Sequence, residues 1–235
     1  LGLSYSRVSM RDSDGDVFAQ DAQGNPLTVS SSGIDDLILL SFQASLDQRD
    51  NPANPSNGSL LTLSTEQSIP IGNGNILLNR LRASYAYYVP VDLVSDAFNN
   101  ETPRLPEVVA FNVQAGTILG DAPPYEAFDL GGADSVRGYG YGRLGTGRSY
   151  ALASVEYRFP IFSPVGGVLF ADFASDLGSA SDVIGEPAVV RDKPGSGFGV
   201  GLGLRVNSPF GLMRLDFGVN DQGDNELHFT FGQRF

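Results

Sequence analysis

Phe198-Gly199-Val200-Gly201-Leu202-Gly203-Leu204-Arg205-Val206 alternates with period two: the even positions are apolar, and the odd positions are glycine or arginine. Successive side chains of a strand point to opposite faces, so this stretch forms a strand with one greasy face and one small or charged face. The pattern returns in Leu212 to Val219, where Met213, Leu215, Phe217 and Val219 oppose Arg214, Asp216 and Gly218. It returns again near the end, where Leu227, Phe229, Phe231 and Phe235 oppose Glu226, His228, Thr230 and Arg234. Upstream, Ile38, Leu40, Phe42, Ala44 and Leu46 alternate with Ser41, Gln43, Ser45 and Asp47, and Leu81, Ala83, Tyr85, Tyr87 and Val89 alternate with Arg80, Arg82, Ser84 and Ala86.

Segments bounded by Gly, Pro, Asn and Asp clusters give ten expected strands, at 1–10, 37–47, 59–69, 78–89, 107–119, 149–159, 167–176, 197–207, 211–220 and 225–235. A strand of roughly 10 residues tilted by about 45° covers the ~25 Å apolar band of an outer membrane. A soluble antiparallel sandwich or lipocalin-like barrel would show the same period, with its apolar face as core. Polar faces rich in Gly, Ser and charges of both signs, and apolar faces ending in Tyr85, Tyr87, Tyr157, Phe159 and Phe235, favour the all-β, antiparallel transmembrane barrel. Short turns at Ser208 to Gly211 and Pro160 to Gly166, against long segments at 11–36, 120–148 and 177–196, fit short periplasmic turns and long outer loops. The brief outer connections at 71–75 and 220–225 and the long inner segment 90–106 depart from that rule.

Composition removes several function classes. The 235 residues include no Cys, no Trp and one His, with 29 Gly, 9 Tyr and 15 Phe. No run of about 18 apolar residues exists, which argues against transmembrane helices. The absence of Cys excludes disulfides and thiolate chemistry, and a single His leaves little for a zinc site or a His-based triad. A net charge of -12 argues against nucleic acid as a partner. Asp12-Ser-Asp-Gly-Asp16 resembles half of a calcium loop, but its Gly is misplaced and no terminal Glu follows, so a solvated acidic loop, with no metal and no cofactor, is expected. The glycines of 198–206 sit inside a strand with no helix after them, unlike a phosphate-cradling loop. The chain opens as LGLSYSRVSM without a signal peptide or initiator Met, as in a mature protein or a fragment.

Several motifs then agree in order. LGGADSVRGYGYGRLGTGRSYALASVEYRFPIF, GGVLFADFASDLGSA, the GFGVGLGLRVNSPFGLMRLDFG hairpin, the terminal FTFGQRF and the turn DQRDNPANPSNG together resemble the carboxy-terminal barrel of the BamA outer-membrane insertase superfamily, in the flavour of its cyanobacterial and chloroplast-envelope branch. The resemblance implies that residues 1–235 correspond to the last ten strands of a sixteen-stranded barrel, with the first six strands and the POTRA domains absent. It implies an outer-membrane or plastid-envelope location, without catalytic residues. The partners it implies are membrane lipid, unfolded outer-membrane or translocated polypeptides, and accessory assembly subunits. It further implies that the loop from Gly120 to Arg148 folds back into the lumen, carrying Val136, Arg137, Gly138 and Tyr139, so that Arg137 meets Glu156 and Asp172. Parity agrees independently, since Glu156 alternates with Val155 and Tyr157, and Asp172 with Ala171 and Phe173. Arginine suits such a latch because its planar fork serves two carboxylates and stays charged. Gly138 allows close backbone approach, and Tyr139 is expected to pack on the wall. Leu227, Phe229, Phe231 and Phe235 are expected to form the terminal assembly strand, although Gln233 departs from the apolar row. The lipid-facing set is expected to include Phe198, Val200, Leu202, Leu204, Met213, Leu215, Phe217, Phe229 and Phe231, while Gly201→Ser, on the lumen side, is expected to be mild. A passive pore and a small barrel enzyme are the other classes considered; the plugging loop argues against the first, and His228 alone on a strand against the second.

Overall fold

The computed structural model describes residues 1–94, 106–209 and 211–235. Ten strands form one antiparallel sheet in simple up-and-down order: β1 (Gly2–Ser9), β2 (Ile34–Asp47), β3 (Gly58–Ile69), β4 (Leu78–Val91), β5 (Glu107–Gly120), β8 (Ser149–Phe162), β9 (Val165–Ser175), β10 (Ser196–Ser208), β11 (Gly211–Asn220) and β12 (Asn225–Phe231). All ten expected strands are present. The sheet is open, with β1 and β12 each paired on one side only. Two short strands not anticipated, β6 (Phe128–Leu130) and β7 (Gly145–Gly147), pair within the long loop after β5. Nothing in the three-residue Gly145-Thr-Gly147 carries a strand period, so only the fold around it sets its extended backbone.

The register puts like residues beside like. Leu202 faces Leu169 on β9 and Phe217 on β11, and Phe217 in turn faces Leu227 on β12. These rows form the outward face: Phe198, Val200, Leu202, Leu204, Phe229 and Phe231 are all exposed. Tyr85 stacks on Tyr87 at 6.5 Å and Tyr157 on Phe159 at 5.5 Å, at the ends of outward rows. No helix among the described residues is long and apolar enough to cross a membrane, and crossing by strands needs none.

The inner face is not uniformly polar. Leu37, Leu39, Ile76, Leu78, Ile118, Tyr150, Leu152 and Ala174 on the sheet side pack against Ala122, Phe128, Leu130, Val136, Tyr139 and Leu144 of the β5–β8 loop. That loop therefore lies inside the curved sheet on an apolar bed, and further loops brace it. The segment between β9 and β10 holds a 3-10 turn (Ala180–Asp182) and a short helix α1 (Pro187–Val190), and touches the loop through Ile184 N–H to Ala122 O, 2.9 Å, and Gly195 N–H to Leu144 O, 2.8 Å.

Strand ends differ from expectation where backbone outweighs pattern. β2 starts at Ile34 because Asp35, wholly buried, accepts Val29 N–H at 2.7 Å and the Tyr125 hydroxyl at 2.6 Å. β8 runs on to Phe162, tightening the Pro160–Gly166 connection into a hairpin with an irregularity between Pro160 and Phe162. β12 stops at Phe231, so Phe235 does not complete the Leu227, Phe229, Phe231 row. Gly232 adopts φ 81°, which turns the chain inward, and Phe235 packs beside Tyr88 within the sheet. Most of segment 90–106, and Phe210 in the β10–β11 turn, lie outside the described residues.

Candidate functional site: an arginine-centred cluster on the inner face of the sheet

Inward positions of four neighbouring strands surround the tip of the β5–β8 loop. Because parity alternates, Glu156 on β8, Asp172 on β9 and Asp216 on β11 project to the same side, and each is almost fully buried. Arg137 enters between them with no exposed surface. Its Nε and Nη2 donate to the two oxygens of Asp172 at 2.7 and 3.0 Å, a planar fork on one carboxylate. Nη1 donates to Glu156 at 2.7 Å and lies 3.4 Å from Asp216. The Arg137 backbone N–H also donates to Asp172, at 3.2 Å, and the guanidinium carbon stands 3.5 Å from the centroid of the Phe170 ring. Burial alone would lower the pKa of Arg137; its hydrogen bond to Asp172 and the charges of the three acids more than reverse that, so the guanidinium stays charged.

Three further arginines complete the cluster. Arg158 Nε donates to Glu156 at 2.8 Å, Arg205 Nη1 to Asp216 at 2.5 Å, and Arg234 Nη1 to Asp172 at 2.7 Å. Each carboxylate thus serves at least two guanidiniums, so no charge is buried alone. Alongside, Arg214 Nη2 donates to Asp134 of the same loop at 3.0 Å. The sequence pairs Arg137 with Glu156 and Asp172, and the structure brings these three together. Asp216, Arg205, Arg158 and Arg234 were missed as members; for Asp216 and Arg205 the usable signal was their polar parity on the two glycine-rich strands.

The glycines of those strands explain how a loop backbone can lie directly on a wall. A Cβ at Gly199 would collide with the Arg137 carbonyl, and one at Gly218 would lie 2.6 Å from the Gly138 nitrogen. Gly138, at φ 99°, could not carry a side chain either: its Cβ would stand 2.8 Å from the Val219 carbonyl carbon. A Cβ at Gly201 would meet the Phe217 carbonyl and the Phe170 ring, and one at Gly203 would meet Asp216. The expectation that Gly201→Ser is mild is therefore corrected, since backbone of β11 and the ring beneath Arg137 occupy that space. The loop is further fixed by Asn220 Nδ2 to Gly138 O at 3.0 Å, by the Tyr139 hydroxyl to Asp221 at 2.6 Å, and by Gly138 N–H to His228 Nε2 at 3.4 Å. Val136 and Tyr139 are both buried in the apolar bed.

No group of three or more His, Cys, Asp and Glu suited to a metal ion occurs among the described residues. Asp12 instead folds its own loop, its Oδ1 accepting the N–H groups of Asp14 and Asp16 at 3.0 and 2.9 Å.

All 235 residues match the Omp85 superfamily domain. The chain belongs to the Omp85 superfamily. This Omp85 chain is 35% identical over 233 residues to outer envelope protein 80, chloroplastic, of Arabidopsis thaliana, covering 99% of its own length and 30% of that protein's. It is 31% identical over 227 residues to outer envelope protein 39, chloroplastic, of the same plant, covering 97% of its own length and 58% of the relative's. With protein TOC75, chloroplastic, of Pisum sativum it shares 31% identity over 215 residues, covering 91% and 26%. The chain thus spans 30% and 33% of the two outer envelope protein 80 sequences it matches. Among solved structures it is similar to BamA from Haemophilus ducreyi lacking POTRA domains 1–3, with a TM-score of 0.64 at 18% identity, covering 92% of this chain and 45% of that one. That likeness shows the fold: the sheet is the kind found in BamA barrels.

Proposed function

We propose that the Omp85 chain is the carboxy-terminal part of a sixteen-stranded barrel in an outer membrane, bacterial or plastid-envelope, that inserts or translocates unfolded polypeptides, with the Arg137 loop latched in its lumen. The observation that carries this reading is the fully buried Arg137, held by Asp172 and Glu156 at 2.7 Å inside a sheet of Omp85 type. No bond-making chemistry is asked of it. In that barrel β12 is the last strand, and its unpaired backbone would offer an edge to an incoming strand, the usual basis of β-strand templating. The latch keeps the loop docked in the lumen, because a guanidinium and three carboxylates stay together at far lower cost than any of them alone in a dry site.

A hydrolytic barrel would need a base and its partners converging on a substrate site; the single His228 instead faces the Gly138 N–H. The test is reconstitution of the full-length protein in liposomes, with insertion of an unfolded outer-membrane polypeptide measured beside ion conductance. Insertion that depends on Arg137 supports the reading. Steady conductance of small solutes without insertion would make the protein a diffusion pore.

A further inference from the structure

Two tyrosines of the Gly138-Tyr139-Gly140-Tyr141-Gly142 run have opposite fates. Tyr139 is buried and donates to Asp221, whereas Tyr141, two residues on, is 83% exposed. Tyr141 stands at a cavity of about 970 Å³, enclosed by this stretch, by residues 191–194 ahead of β10 and by the β11–β12 turn. Lys193 forms one flank, its Nζ donating to Thr146 Oγ1 at 2.6 Å and lying 3.8 Å from Asp129. Arg143 and Glu226 converge at Gly140, where a Cβ would lie 3.5 Å from Arg143 Cδ and 3.4 Å from Glu226 Oε1. In the arginine cluster every carboxylate is paired. Here, among the described residues, the side chains of Arg143, Arg191, Asp224 and Glu226 form neither ion pair nor hydrogen bond. Donors and acceptors thus line one space with their capacity unused.

We propose that this cavity is a saccharide-binding site, with Tyr141 stacking on a pyranose ring and Arg143, Arg191, Asp224 and Glu226 bonding its hydroxyls. The balance of charge selects the ligand. An anion would face Asp129, Asp224 and Glu226, and a cation would face Arg143, Arg191 and Lys193, so like charge opposes either. A hydroxyl both donates and accepts, so a neutral polyol satisfies guanidinium and carboxylate together without bringing a charge of its own. The C–H face of a sugar ring needs an exposed amphipathic aromatic, which Tyr141 supplies. A polypeptide segment is held through apolar side-chain pockets as well as backbone, and among the described residues no Val, Ile, Leu, Met or Phe lines the cavity. Its volume falls within the range of about 300–1,000 Å³ usual for small-ligand sites. Pyranose hydroxyls belong alike to a soluble oligosaccharide and to the headgroup of a membrane glycolipid.

Neither Tyr141 nor these four charged residues hold Arg137, so the test stands apart from insertion activity. The full-length protein in a sugar-free detergent is titrated with trisaccharides of glucose, galactose and mannose, and contact with ring protons is read by saturation-transfer NMR. In a second arm it is incubated in mixed micelles of phosphatidylcholine with glucosyl or galactosyl diacylglycerol, and the lipid that co-purifies is quantified by mass spectrometry. At least one of these saccharides should bind. Tyr141→Ala and Arg143→Ala/Glu226→Ala alter exposed side chains and should fold, yet weaken that binding about tenfold or more, the scale of one lost charge-assisted hydrogen bond. Tyr141→Phe, which keeps the ring, should restore it. Binding of a trisaccharide assigns the site to soluble glycans, and enrichment of glycolipid alone assigns it to headgroups. No saccharide bound in either arm, binding indifferent to Tyr141→Ala, or displacement of the saccharide by a polar Gly-Ser-Lys-Glu peptide overturns the proposal.

Discussion

Replacing Arg137 and replacing Asp172 should not cost the same, although they form one ion pair. Arg137→Ala removes donors at 2.7, 2.7, 3.0 and 3.4 Å, but leaves Asp172 with Arg234, Glu156 with Arg158 and Asp216 with Arg205. Three carboxylates then face three guanidiniums, and none is orphaned. Asp172→Asn instead leaves Arg137 and Arg234 to share an amide, with four guanidiniums against two carboxylates. Breaking a buried pair so that a charge is uncompensated costs about 3–5 kcal/mol. Asp172→Asn should approach that range, and Arg137→Ala should cost about 2 kcal/mol, the net scale of one charge-assisted hydrogen bond, because each acid keeps another guanidinium. With Arg137 already gone, Asp172→Asn strands one cation fewer, so the double mutant should be less damaged than the sum, by about 1 kcal/mol or more. The assay is urea unfolding of the four proteins in detergent, with protease cleavage of the loop as a local readout. Strict additivity, or a loop as protected in Arg137→Ala as in the parent, would refute the latch.

Wall glycines should behave as seats: Gly199→Ala and Gly218→Ala should release the loop to protease and cost about 1–3 kcal/mol by overpacking, whereas Gly140→Ala, whose nearest neighbours would be the side chains of Glu226 and Arg143 at 3.4 and 3.5 Å, should be near neutral; equal effects at all three would remove the seat. On the outer face, Leu202→Arg or Leu215→Arg should cost about 2–4 kcal/mol near the membrane midplane and lower folding yield in lipid, and unchanged yields would contradict a lipid-facing row. Burial and the hydrogen bond to Asp221 raise the pKa of Tyr139 above the ordinary tyrosine range. A raised folded-state pKa gives stability that is complete below the unfolded value near 10 and is lost as pH rises toward the folded one, so loop docking should weaken above about pH 10. Tyr139→Phe should lessen that decline, and an identical pH profile in both proteins would exclude Tyr139 as its source.

The strands were legible because a sheet between two environments imprints period two on nearly every residue, as in Phe198 to Val206. Parity also exposed the inward aim of Glu156 and Asp172. Parity does not disclose a backbone turn, so Arg234 and Phe235 looked like the end of a strand; the φ of Gly232 decides otherwise, and a lone glycine states no such angle. Likewise Gly199, Gly201, Gly203 and Gly218 could be read only as a small-residue face. For Gly199 and Gly218 the necessity comes from the Arg137 to Gly138 backbone lying on them, a contact between segments about 60–80 positions apart in sequence, and for Gly201 and Gly203 from β11 and the Phe170 ring.

Those separations also order events in time. Arg137 reaches partners 19, 35 and 79 residues away, on three different strands. Contacts of such range form after local hairpins, because each closes a long stretch of chain. A slip of one residue in β8, β9 or β11 would turn Glu156, Asp172 or Asp216 toward lipid. The arginine would then find no full set of counter-charges and would stay in water, since entering a dry site unpaired is prohibitively unfavourable. Loop closure is therefore a late folding event that only a wall in correct register permits, and a misregistered barrel is left with an open, protease-sensitive loop.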